Sequence, residues 1–374
     1  MTDSQRTAAD EPPLAARIAQ VKALISASDS HQARPLAEAV GDKLQNLWEN
    51  GGRKGDTKPG LRPERIYLRP LFMQAGPTDD RGPVLPRLIK SRGLQLRLEL
   101  LLLFDAQCRH KPGHAVHNVR DITPGCDDTY ASWRQLVLAS TVSTKGRGRP
   151  EKDLRALQIT EALRALEEHH LVSIPRKPGS SRRQYDNFHL LSEASRPDED
   201  PEYIVPEPEN GVALSRHFFT NLWVFALTDT ELATFLVLSW LRSKFPAKHA
   251  TDGVFLTNDD RKKIFWITPT TWRSTVPLHR FRLIDKMPDE RRDYRTGNVN
   301  GDFKKMWKNR DVPPTRFMVN DQALERPALQ TIRQVLTAPT EDDGLRRDGR
   351  EGVSVAAELL PLPTAASIFF GAGV

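Results

Sequence analysis

Arg155, Gln158, Thr160, Glu161 and Arg164 share one short stretch with Ala156, Ile159, Leu163 and Leu166, four residues that recur at helical spacing. A common face for those four predicts that they are buried and that the polar set flanks or opposes them. Arginine and glutamine can make bidentate hydrogen bonds to base edges, threonine can bond to either kind of edge, and glutamate can accept from cytosine. Shortly after, Arg176, Lys177, Arg182 and Arg183 surround Gly179. Such a basic hairpin suits phosphates, which fix register rather than sequence. Each of these residues is also compatible with an ordinary solvated face or a solubilising hairpin.

Arg147-Gly148-Arg149-Pro150 stands just before this stretch. It is similar to the core of an AT-hook, in which Arg-Gly-Arg lies in a narrow minor groove; a simple basic linker is the alternative. A second basic region spans 261–316, where 15 Lys/Arg face 6 Asp/Glu, a net of +9. There Thr270, Thr271, Arg273 and Ser274 are expected to face DNA from a short helix buried through Trp272 and Val276. The loop that follows interleaves Tyr294, Phe303 and Trp307 with Arg295, Lys304, Lys305, Lys308 and Arg310. Aromatics among cations suit a nucleic-acid groove, and equally a helix using its rings to cover a core.

Cys108, His110, His114, His117 and Cys126 are the other chemistry-bearing cluster. Sulfur and imidazole can bind zinc, but this spacing matches no structural zinc pattern, so the expectation is no metal and no cofactor. Catalysis has little support. No phosphate-binding Gly-Lys-Ser/Thr loop and no Gly-x-Ser-x-Gly elbow is present. His114-Ala-Val-His117 and His169-His170 lack the spacing of a nicking enzyme's metal pair. No enzyme is expected.

These residues need elements to hold them. The segment from Ile159 through Leu163, Leu166 and His170 to Leu171-Val172 resembles the recognition helix and first strand of winged-helix DNA-binding proteins. His170 stands where that family often has glycine, although His tolerates a left-handed backbone better than most residues. Leu171–Ile174 and Tyr185–Leu191 are the expected wing strands. Upstream, Ile89–Phe104 alternates like a strand but is rich in helix formers, and we read it as the buried first helix. Residues 129–142 supply the next. A similar order follows 212: Thr228-x-x-Glu231 has capping-box form, Thr257 and Thr268-Pro269 open further helices, and strands begin at Leu283 and Arg316. The resemblance therefore implies a mainly α fold with small β-hairpin wings (α+β), two tandem winged-helix domains plus N-terminal helices.

The expected organisation is 1–63 as N-terminal helices and linker, 64–192 as the first winged-helix domain, and 212–337 as the second. Between these, 193–211 reads as an acidic, Pro-rich linker with seven Asp/Glu against one Arg, and 338–374 as a flexible tail. Leu14, Ile18, Val21 and Ile25 predict one buried face near the N-terminus. A net charge of +7 over 374 residues favours a polyanionic partner. Two cysteines, no signal pattern and no membrane-length apolar run point to the cytoplasm and no membrane. The tandem arrangement resembles plasmid replication initiators, so the expected function is sequence-specific binding of double-stranded DNA in replication or transcription. A homodimer fits, as does a protein partner on the N-terminal helices or C-terminal tail. The alternative is a non-enzymatic scaffold subunit of a chromosome-organising or DNA-defence complex.

Overall fold

The leucines that alternate from Leu94 to Leu100 lie on a helix, Gln95–Arg109, that is buried on nearly every side. A helix enclosed all round needs no polar stripe, which is why the run carries no helical periodicity. It starts later than the Ile89 expected, because a separate short helix occupies 84–90.

The computed structural model describes residues 14–27, 34–53, 60–76, 82–90, 93–125, 129–139, 151–193, 201–289 and 314–338, without the side chains of 151–153. In chain order the elements are α1 (Leu14–Ser26), α2 (Leu36–Asn50), β1 (Arg65–Leu68), α3 (Val84–Lys90), α4 (Gln95–Arg109), α5 (Trp133–Leu136), α6 (Glu151–Glu168), β2 (Val172–Ser173) and β3 (His189–Leu190). They continue with β4 (Val212–Ser215), α7 (His217–Thr220), α8 (Trp223–Ala226), α9 (Asp229–Lys244), α10 (Pro246–Thr251), α11 (Asn258–Lys263), α12 (Pro269–Trp272), α13 (Thr275–Arg280), β5 (Ile284–Lys286), β6 (Phe317–Val319) and α14 (Ala328–Thr337). The chain is mainly helical with small antiparallel sheets.

Three antiparallel pairs form: β1 with β4, β2 with β3, and β5 with β6. The first pair sets Arg65 opposite Ser215 and Leu68 opposite Val212. It joins the two segments expected to be separate domains. Neither strand was anticipated, since four residues are too few to show alternation.

One hydrophobic core extends from Val21 to Leu336, drawing on both halves. α1 belongs to it through Arg17, Val21 and Leu24, whereas Leu14 is 51% exposed. Ile18 and Ile25 of the expected face pack half-buried against the core beside Val21, and the buried stripe is shifted toward Arg17, which reaches inward. Its guanidinium donates to Ala226 O (2.6 Å) and pairs with Glu231 (2.9 Å). Residues 201–211 are also more than a linker: Tyr203 and Val205 are buried, and Tyr203 N donates to Leu190 O. The acidic letters there occupy the outer positions of an ordered segment.

Several local signals hold. Thr228 caps α9 in a reciprocal box with Glu231. Thr257 and Thr268 accept from Asp260 N and Thr271 N at the starts of α11 and α12. His170 has φ 59, the left-handed end that glycine would otherwise supply.

Candidate nucleic-acid interface

α6 is embedded more deeply than an edge helix. Leu154, Arg155, Ile159, Ala162, Leu163 and Leu166 are all buried, a wider arc than the four apolar positions. Arg155 is only 2% exposed and does not stand on an outer face. Gln158 also turns away from the solvent side, lining a cavity with Gln20, Leu24 and Arg97. Both placements have one cause: α6 packs on α4 and α5 together, so residues flanking the apolar stripe are covered as well. Thr160 is half-buried, with its hydroxyl donating to Ala156 O (2.9 Å). The exposed ridge is Leu157, Glu161, Arg164 and Glu168. That ridge is not basic.

The cationic surface lies on the hairpin. Beyond β2 and β3, Arg176 bridges Arg183, Lys177 N donates to Arg182 O (2.9 Å), and Gly179 turns the tip at φ 72. The strands are shorter than expected because 185–187 form a 3-10 turn. This turn brings Tyr185 under Arg164, whose guanidinium lies 5.5 Å from the ring centroid and whose Nε donates to the phenol oxygen. Arg164, Lys177, Arg182, Arg183 and Tyr185 thereby line an open cleft of about 820 Å3.

The arginines of this cleft differ in their partners. Arg183 grips the Glu167 carboxylate at 2.8–2.9 Å, and the other Glu167 oxygen accepts from Ile174 N. It therefore ties the hairpin to α6 and is already neutralised. Lys177 and Arg182 are exposed and have no ion-pair partner among the described residues. Arg176 is exposed too. Asp186, the only acid of the hairpin, is exposed and lines the same cleft, where its Oδ1 accepts from Ile122 N (2.7 Å) in the loop before α5. Tyr185 was not singled out by sequence, although an aromatic at the root of a basic hairpin was the available signal.

In the second half the expected face is inverted. Thr271 and Ser274 are buried and Thr271 O accepts from Thr234, while Val276 is 63% exposed. The inward stripe is Ile267, Thr271, Ser274 and Leu278, at spacings of four, three and four. A polar hydroxyl there matches the helical period better than the bulkier Val276, and Trp272 is half-buried against Phe317. Thr270 is half-buried; only Arg273 of the expected set is exposed. Arg147, Arg149, Arg295, Lys304, Lys305 and Lys308 lie outside the described residues, as do Tyr294, Phe303, Trp307 and Arg310.

The cysteine–histidine cluster is not assembled as spaced. Cys108 is buried in α4, and burial pushes its thiol well above the ordinary range. His110 follows the helix end beside Arg109, and burial lowers its pKa. His114 contacts Pro112 O, and Cys126 lies outside the described residues. No protein-family model, curated protein or solved structure matches the chain.

Proposed function

We propose that the chain binds double-stranded DNA through the hairpin 172–190 and the outer ridge of α6, as a replication initiator or transcriptional regulator with two winged-helix units. The observation that carries this reading is the open cleft in which Lys177 and Arg182 project, with no ion-pair partner among the described residues, beside the Arg164–Tyr185 stack. Unpaired cations on a protruding hairpin gain most from phosphates, whose condensed counterions they displace. In this reading Arg164 and Glu161, exposed on the ridge, would meet base edges, with Arg164 held in orientation by the tyrosine.

The two halves also follow a common order. Leaving aside α3, α7, α8 and α10, each has a strand, a buried helix, further helices and a hairpin: β1, α4, α5–α6, β2–β3, then β4, α9, α11–α13, β5–β6. The first strands of the two sets pair with each other antiparallel. This relation suits a paired reader of two half-sites, a tandem winged-helix arrangement.

The acidic ridge of α6 and exposed Leu157 favour one rival, a scaffold that uses this face for protein docking. Selection from a random double-stranded pool separates the two. Enrichment of one site, with affinity well above that for random DNA at physiological salt, is expected of the reader. Equal affinity for all sequences sinks it.

A further inference from the structure

Three stretches of extended chain run side by side next to the root of the hairpin. Val116 N donates to Tyr203 O (3.2 Å), and Tyr203 N donates to Leu190 O (2.9 Å). Val205 N to His114 O (3.1 Å) and Ser192 N to Pro201 O (2.9 Å) continue the pairing on either side. Val116, Tyr203 and Leu190 are buried at its centre. Neighbouring side chains in extended chain point to opposite faces. The residues adjoining those three are His117, Glu202 and His189, and all three are exposed. One ligand atom from each lies within 4.8 Å of the others.

We propose that His117, His189 and Glu202 bind a zinc ion. Two imidazoles and a carboxylate match zinc's preference for nitrogen and oxygen donors, with water in the fourth position. An all-oxygen set would be needed to favour calcium or magnesium. Tetrahedral ligation at about 2.0–2.2 Å places donors roughly 3.3 Å apart, a closure that exposed side chains reach by rotation alone. The backbone carriers are already held in register by the hydrogen bonds above. The ion would join the loop after α4, strand β3 and the segment following 200. That loop already holds the hairpin root through Asn118 Nδ2 donating to Asp186 O (2.7 Å), so zinc would brace the same root from a second point. Of the cysteine–histidine cluster only His117 takes part; its partners are 72 and 85 residues further along the chain.

The full chain, stripped with a chelator, is titrated with Zn2+ by calorimetry and weighed by native mass spectrometry. One ion per chain is expected, with His117→Ala, His189→Ala and Glu202→Gln each weakening it by about tenfold or more. His114→Ala, on the same loop but outside the trio, is expected to bind as the parent does. Co2+ in place of zinc should give a tetrahedral ligand-field spectrum that His189→Ala abolishes. Melting without metal checks that each variant remains folded. Absence of stoichiometric binding, binding that survives all three substitutions, or equal loss in His114→Ala overturns the assignment.

Discussion

Individual side chains in the hairpin divide into those that build it and those left to bind. Arg183 is a builder, and its ion pair with Glu167 is partly exposed, at 35% and 26%. Arg183→Ala should therefore lower stability by only about 0.5–1 kcal/mol, read by urea denaturation. Lys177→Ala with Arg182→Ala should stay within ~0.5 kcal/mol of the parent, because neither side chain supports the fold. Glu99 presents the opposite case. Its carboxyl is wholly buried on α4 with no hydrogen-bond partner among the described residues, and burial, aided by the Glu193 charge, raises its pKa well above the ordinary value. A carboxyl raised in the folded state holds its proton more tightly there than in the unfolded chain. Its charging therefore opposes folding once the pH passes the unfolded value of about 4.3. Glu99→Gln should stabilise the protein at pH 7 by on the order of 1–3 kcal/mol and gain little at pH 4, in melts at the two pH values. Equal gains at both would remove the titration from the account.

Among the elements, α4 carries the heaviest structural duty. Burial alone would raise the Asp105 carboxyl, but Arg109 and Arg120 together outweigh it and hold its pKa below the usual range. Arg120, itself buried, also donates to Ala131 O and Gly51 O at 2.9 Å, binding α4 to the end of α2 and to the approach to α5. Arg120→Ala leaves a buried carboxylate with one partner fewer and should cost about 3–5 kcal/mol by chemical denaturation. The depressed Asp105 contributes stability above its unfolded pKa, and that contribution is lost as pH falls through the folded value. Helix starts were legible in sequence wherever a threonine cap stood three residues before its donor, as at Thr228, Thr257 and Thr268. Facing was harder to read. α6 exposes Leu157 and buries Arg155, and α13 exposes Val276 while Ser274 goes inward. Hydropathy alone ranks these residues the other way, and the packing partners that decide lie far off in the chain.

At the scale of the molecule, the two segments drawn as separate domains share a sheet and a core. Local patterns could not reveal this, because the β1–β4 pairing and the Arg17–Glu231 bridge join residues more than 140 positions apart. The shared core predicts a single cooperative unfolding transition, with calorimetric and van't Hoff enthalpies in agreement. Two separated transitions, one for each half, would contradict it. The candidate cleft was half legible: the basic hairpin could be read from its letters, whereas the partnering of Arg183 and the Arg164–Tyr185 stack needed the folded chain. The ligand trio of His117, His189 and Glu202 was invisible for the same reason. DNA binding by the hairpin is the central claim. Its most direct test is the salt dependence of double-stranded DNA affinity, measured for the parent and for the Lys177→Ala, Arg182→Ala double variant. The account predicts affinity that falls steeply with salt, and a log–log slope shallower by about two in the variant for every sequence tried. No binding at low salt, or a slope the two substitutions leave unchanged, would contradict it.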